Sequence, residues 1–219
     1  MTRQGESMSR DQAIVMRYDS PDASRTGRDI VYLHGRGSNE REAGYTLALF
    51  GDADVRSYRG PISQGGGFAW FLNAGTGVAI PESLALETEK VGGWIASDTG
   101  RRRPWLCGFS NGAAMAGALF LKSPEAYAGL LMIGGCFAVP SGELPDFALA
   151  GKPVMFCRGK LDMVIPRHKF AEAQAYLAWR SGAVATMLVY EGGHELPLTI
   201  KSAVRAWLTG EESGTRAAD

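Results

Sequence analysis

The chain has little of what marks a protein for a charged or membranous partner. Among its 219 residues, Lys plus Arg and Asp plus Glu each number 23, so no net field draws it to nucleic acid, an anionic bilayer or an acidic substrate. No apolar run reaches 18 residues, which excludes a spanning helix of ordinary length, and residues 1–28 hold no apolar stretch of the kind a secretory signal needs. Cysteine is scarce. Cys107, Cys136 and Cys157 each sit inside an apolar run (PWLCGF, MIGGCF, PVMFCR), and none has Cys-x-x-Cys or Cys/His metal spacing, so they read as small reduced core residues. No Pro- or Ser-rich block divides the chain and no repeat recurs. The expectation is one soluble cytoplasmic domain over residues 1–219, with flexible tails at about 1–10 and 210–219. No metal, organic cofactor, nucleic-acid partner or stable membrane association is expected, and whether the chain forms a homodimer is left open.

What is present is an alternation. Short β-like runs at 13–19, 29–35, 53–59, 103–109, 127–135, 153–159 and 185–193 are separated by helical patterns near 39–50, 81–98, 111–122, 167–181 and 195–209. Most of the β-like runs are apolar almost throughout, as strands covered on both faces must be. The pattern predicts an α/β fold: a mainly parallel twisted sheet with helices on both faces. The longest segment available for a lid, residues 137–153, is short, so no large lid is expected.

Within this pattern, GFSNG (Gly108 to Gly112) matches G-x-S-x-G where a strand hands over to a helix. On so sharp a turn the residues two positions from Ser110 must lack bulk, which accounts for both glycines. Alone, the match is weak in a chain with 29 glycines, and a glycine-rich turn capped by serine reads equally well. A serine hydroxyl becomes a nucleophile only with a base, most often a histidine oriented by a carboxylate. There are three histidines. His194 follows the last strand, at the carboxyl end where open parallel sheets gather reactive groups; His34 closes an early strand; His168 begins a helical pattern and reads as a surface residue. The same rule places Asp162, in the loop after PVMFCRG, as the carboxylate, with Asp146 in SGELPDF the weaker alternative. The order Ser110, Asp162, His194 is that of the α/β-hydrolase scaffold. Main-chain N–H groups for an oxyanion would come from Asn111 and from the loop HGRGSN, with Arg36 as the second donor. The side chain of Arg36 also reads as an anion-binding group, and HGRG as a plain glycine turn.

At these motifs the chain resembles the phospholipase/carboxylesterase branch of the α/β-hydrolases, which includes acyl-protein thioesterases. The resemblance rests on LHGRGSN (33–39), RGPISQGGGFAWF (59–71), GFSNGAAMAG (108–117), PVMFCRGKLDMVIP (153–166) and GGHEL (192–196), and runs from about residue 29 to 209. It implies a serine carboxylesterase acting on esters or thioesters through an acyl-enzyme, with Pro61, Trp70 and Phe71 in a loop that lines the acyl side. Trp70, Phe71, Phe137 and Met163, apolar residues near the expected site, suggest a cleft for a modest acyl or aryl group, and the lack of a large lid suits small soluble esters. The chain departs from the family pattern at three places. Asn111 stands where Gln is usual, Leu72 ends a signature that normally closes in Asp, and Arg36 occupies a commonly apolar position. Other hydrolases on the scaffold, of lactones, hydroquinone esters or small peptides, and a silent binding module remain alternatives.

Overall fold

The computed structural model describes residues 13–20 and 28–210. Apart from Gly210, the expected flexible tails fall outside them. Each of the seven β-like runs forms a strand, and the seven make one sheet. They are β1 (Val15–Tyr18), β2 (Asp29–Leu33), β3 (Asp54–Tyr58), β8 (Trp105–Phe109), β9 (Gly129–Ile133), β10 (Pro153–Gly159) and β11 (Val184–Tyr190). The sheet order is β1-β3-β2-β8-β9-β10-β11; β1 pairs antiparallel with β3 and every other neighbour is parallel.

Two short hairpins lie outside this sheet and were not expected: β4 (Ile62–Gln64) with β5 (Gly67–Ala69), and β6 (Asn73–Gly75) with β7 (Val78–Ala79). Strands of two or three residues are too short to show a period of two, so the sequence carries no pattern for them. Five helices stand in the expected places: α1 (Ala43–Phe50), α2 (Pro81–Thr99), α3 (Asn111–Lys122), α4 (Arg167–Ala175, prolonged by one wide turn, Tyr176–Arg180) and α5 (Lys201–Thr209), the first and last beginning later than expected, each after a short 3-10 turn (Glu40–Glu42 and Leu198–Ile200).

Strand alternation sends side chains into two apolar layers. Val31, Leu33, Leu106, Leu130, Met132, Val154 and Phe156 join the layer under α2, α3 and α4. Ile30, Tyr32, Cys107, Leu131, Ile133, Met155 and Cys157 join the layer under α1 and α5. Both faces are covered, which is why the strands read as unbroken apolar runs. The three cysteines are buried free thiols. Among the described residues no helix is long and apolar enough to cross a membrane, and no group of His, Cys, Asp and Glu could hold a metal.

Chain direction reverses at the middle of the sheet. From β2 the chain passes to β3 on one side, then after α2 returns to β8 on the other. The loops leaving the carboxyl ends of β2 and β8 therefore diverge and open a crevice between them, the place where open α/β sheets bind ligands. HGRGSN leaves β2 and Ser110 leaves β8, so the strand order itself brings the two motifs together.

Candidate active site

Ser110 occupies the turn between β8 and α3 with φ 54° and ψ −116°, a positive-φ conformation that non-glycine residues rarely adopt. The flanking glycines make the turn possible. A Cβ on Gly108 would lie 2.3 Å from the carbonyl oxygen of Gly112, and one on Gly112 would lie 2.0 Å from the carbonyl oxygen of Leu33. The first contact is inside the turn; the second presses the start of α3 against the end of β2. No side chain fits at either place.

The other two loops arrive at the same point. His194 Nε2 is 2.8 Å from Ser110 Oγ and its Nδ1 is 2.8 Å from Asp162 Oδ2. Asp162 is 5% exposed, and its two oxygens divide the work. Oδ1 accepts the N–H groups of Val164 and Ile165 at 2.9 and 3.1 Å, closing the loop as a turn, while Oδ2 is left for the imidazole. A carboxylate at Nδ1 requires the proton on that nitrogen, so Nε2 presents a lone pair to the Ser110 hydroxyl. The Phe109 ring lies 5.0 Å from the imidazole, and the Tyr190 hydroxyl donates to the Glu195 carbonyl at 2.9 Å, tying the His194 loop back to β11.

His34 takes a different role. It is fully buried, with Nδ1 2.7 Å from Gly35 O and Nε2 accepting the Gly60 N–H at 3.0 Å. Burial pulls its pKa below the usual histidine value, and the bond to the Gly35 carbonyl opposes this only in part. The Trp70 indole N–H donates to the His34 carbonyl at 2.7 Å, and the Trp70 main-chain N–H donates to Asn111 Oδ1 at 2.9 Å. Trp70 and His34 thus brace the loop that carries Arg36 against the segment before α2. Gly37 adds a positive-φ bend at 84°, and its N–H donates to the Phe68 carbonyl at 2.8 Å. The N–H groups of Arg36 and Asn111 are not engaged by other groups among the described residues.

A cleft partly open to solvent, with a cavity volume of about 50 Å³, runs over Ser110. Its walls are Phe71, Ala114, Cys136, Ala138, Val164 and Ile165 on the apolar side, with Arg36, Asn73, Thr76 and Asn111 on the polar side. Sequence reasoning named Phe71, Arg36 and Asn111 but missed the β6–β7 hairpin, which supplies Asn73, Thr76, Gly77 and Ala79. The one cue was NAGTG, two glycines within five residues, and Gly77 does take a positive φ of 73°.

Pro61, Trp70, Phe137 and Met163, expected beside the substrate, are not among the residues that line the cleft. Trp70 is fully buried, its indole turned inward to the His34 carbonyl. Met163 is 84% exposed, because the turn closed by Asp162 directs it outward while Val164 and Ile165 reach the cleft. Asp146 pairs with the exposed Arg180 at 2.6 Å, and His168 is exposed on α4. Cys136 lines the cleft, but burial pushes its thiol up to about 11, far from a reactive thiolate.

Three comparisons bear on this geometry. A family model described as Phospholipase/Carboxylesterase matches residues 78–208. MhqD of Bacillus subtilis (strain 168), which carries the name of a hydrolase, is 30% identical over 185 residues, 81% of this chain and 90% of that protein. Among solved structures, the carboxylesterase of Bacillus cereus superimposes with a TM-score of 0.77 at 23% identity, covering 95% of this chain and 97% of its own. The carboxylesterase of Mesorhizobium loti does so with a TM-score of 0.74 at 23% identity, covering 84% of this chain and 88% of its own.

Proposed function

Because this chain belongs to the phospholipase/carboxylesterase family of α/β-hydrolases, we propose that it is a serine carboxylesterase of small soluble esters, working through Ser110, His194 and Asp162 and a covalent acyl-enzyme. The observation that carries this reading is the His194 imidazole, 2.8 Å from the Ser110 hydroxyl on one side and 2.8 Å from the Asp162 carboxylate on the other.

In the first step Ser110 Oγ attacks the ester carbonyl carbon and its proton passes to His194 Nε2. The imidazolium is stabilised by Asp162, and the negative charge collecting on the carbonyl oxygen is met by the N–H groups of Arg36 and Asn111, aided by the amino end of α3. Collapse breaks the bond to the alcohol, which takes the proton from His194. Water then enters, gives its proton to the same nitrogen, attacks the acyl carbon and frees the acid and Ser110 Oγ–H. No redox or metal step is needed. The cleft over Ser110 is lined mainly by small side chains and is partly open, which suits short acyl or alcohol groups rather than long lipid chains. The buried free thiols suit a reducing compartment, in keeping with a cytoplasmic enzyme.

The test is covalent labelling with a fluorophosphonate followed by intact mass, run beside hydrolysis of short nitrophenyl esters. One adduct per chain is expected, absent in Ser110→Ala, together with a fall in turnover of about 10⁴-fold or more in that variant. A Ser110→Ala protein that still hydrolyses at close to the parent rate would overturn the reading.

A further inference from the structure

Among the described residues Arg36 is the only charged one that lines the cleft over Ser110, and no carboxylate lines it. Its side chain is exposed and makes no ion pair among the described residues. The acids on the neighbouring chain are already engaged. Glu40 holds Arg59 through both oxygens at 2.5 and 2.7 Å, and one oxygen of Glu42 accepts the Tyr32 hydroxyl and the Gly35 N–H at 2.8 and 3.0 Å. Asn111 lines the same cleft with Nδ2 buried and unpaired, because its Oδ1 is committed to the Trp70 N–H. A buried donor without an acceptor is held at a cost in free energy. Asn73 and Thr76 add side chains able to donate, so the polar wall is rich in donors and, among the described residues, contains no anion.

We propose that the substrates are short esters bearing a second, free carboxylate, and that the guanidinium of Arg36 receives that carboxylate in the cleft. The proposal rests on the esterase reading above and narrows it. Arg36 then acts in two separable ways: its main-chain N–H faces the reacting oxygen whatever its side chain, while the guanidinium selects among substrates. A guanidinium meets a carboxylate through paired N–H donors, and lysine can supply the charge but not that fork.

The experiment compares esters in matched pairs. Monoethyl succinate is set against ethyl levulinate, where a methyl ketone replaces the carboxylate on the acyl side. Then 4-acetoxybenzoate is set against 4-acetoxyacetophenone, where the change lies on the alcohol side. The quantity read is the ratio of kcat/KM, charged over neutral, within each protein, so that any loss common to both esters cancels. In at least one pair, Arg36→Ala is expected to lower the parent ratio by about tenfold, the lower end for a hydrogen bond to a charged group at an exposed site. Arg36→Lys should keep part of the ratio, and Arg36→Glu should drive it below that of Arg36→Ala. Raising the salt from 0.1 to 1 M, which cuts the screening length from about 10 to about 3 Å, should lower the parent ratio and leave that of Arg36→Ala in place. A charged-over-neutral ratio that is the same in all four proteins overturns the proposal and leaves the esterase reading standing. If the parent turns over no carboxylate-bearing ester, the proposal falls too, and fluorophosphonate labelling of Ser110 decides whether the esterase reading falls with it.

Discussion

Two imidazoles stand just past the carboxyl ends of strands in this sheet, each with its ring 5.0 Å from an aromatic neighbour: His34 against Trp70, His194 against Phe109. Their partners separate them. His34 lies between two peptide groups, the Gly35 carbonyl and the Gly60 N–H, and His194 lies between two side chains, a carboxylate and a hydroxyl. Burial outweighs the Gly35 carbonyl and the more distant charges of Glu42 and Glu40, which favour an imidazolium, so the pKa of His34 lies below the usual value and the ring serves as a brace. His194 has a carboxylate at Nδ1 and a hydroxyl at Nε2, the arrangement that the proposed proton transfer requires. In the proposed reaction the β2 loop offers main-chain N–H groups to the oxyanion and the Arg36 side chain to the substrate, while the β10 and β11 loops offer side chains held by main-chain turns.

The contrast fails first if the two histidines prove interchangeable. His194→Gln should lower kcat about 10⁴-fold or more while moving the melting temperature by no more than about 4 °C, measured by steady-state kinetics beside calorimetry. Asp162→Asn should cost about 10³- to 10⁴-fold in kcat, since an amide at that place favours the wrong imidazole tautomer; a loss under tenfold would mean that Asp162 serves only its turn. His34→Ala should act in the opposite sense. It removes two buried hydrogen bonds and opens a void, so a loss of about 2–4 kcal/mol is expected in urea unfolding, with fluorophosphonate labelling of Ser110 retained in the folded fraction.

The pH dependence sharpens the same point. The folded pKa of His34 lies below the unfolded value near 6.5, so as pH falls below about 6.5 the unfolded chain takes up a proton that the folded chain refuses. Stability from this source is complete above that pH and declines below it, by at most about 1.4 kcal/mol per pH unit. The decline should be shallower in His34→Gln. The smallest effect concerns the brace itself: Trp70→Phe removes the N–H that reaches the His34 carbonyl and should cost about 1 kcal/mol, read from the urea midpoint at unchanged slope.

The sheet was legible because its signal is redundant. Seven β-like runs, each seven to nine residues long and most of them apolar almost throughout, alternate with helical patterns and leave few arrangements, and the order of Ser110, Asp162 and His194 along the chain then locates the three loops. The direction in which a loop side chain points was not legible. Met163 adjoins Asp162 in sequence yet faces solvent, because the Asp162 Oδ1 hydrogen bonds to Val164 and Ile165 set the turn. Trp70 and Phe71 are neighbours; one is turned inward by the His34 carbonyl and the other reaches the cleft. Such outcomes depend on partners distant in the chain, as Asn111 and Trp70 are 41 positions apart, and no local pattern encodes them.

The β6–β7 hairpin hangs from the segment between β3 and α2 and shares no ladder with the seven-stranded sheet. Lengthening or trimming its tip at Thr76 and Gly77 therefore leaves the strands and both apolar layers untouched while it changes the room above Ser110. On the proposed reading, selection or an engineer can retailor the substrate range at that tip without reopening the question of whether the chain folds.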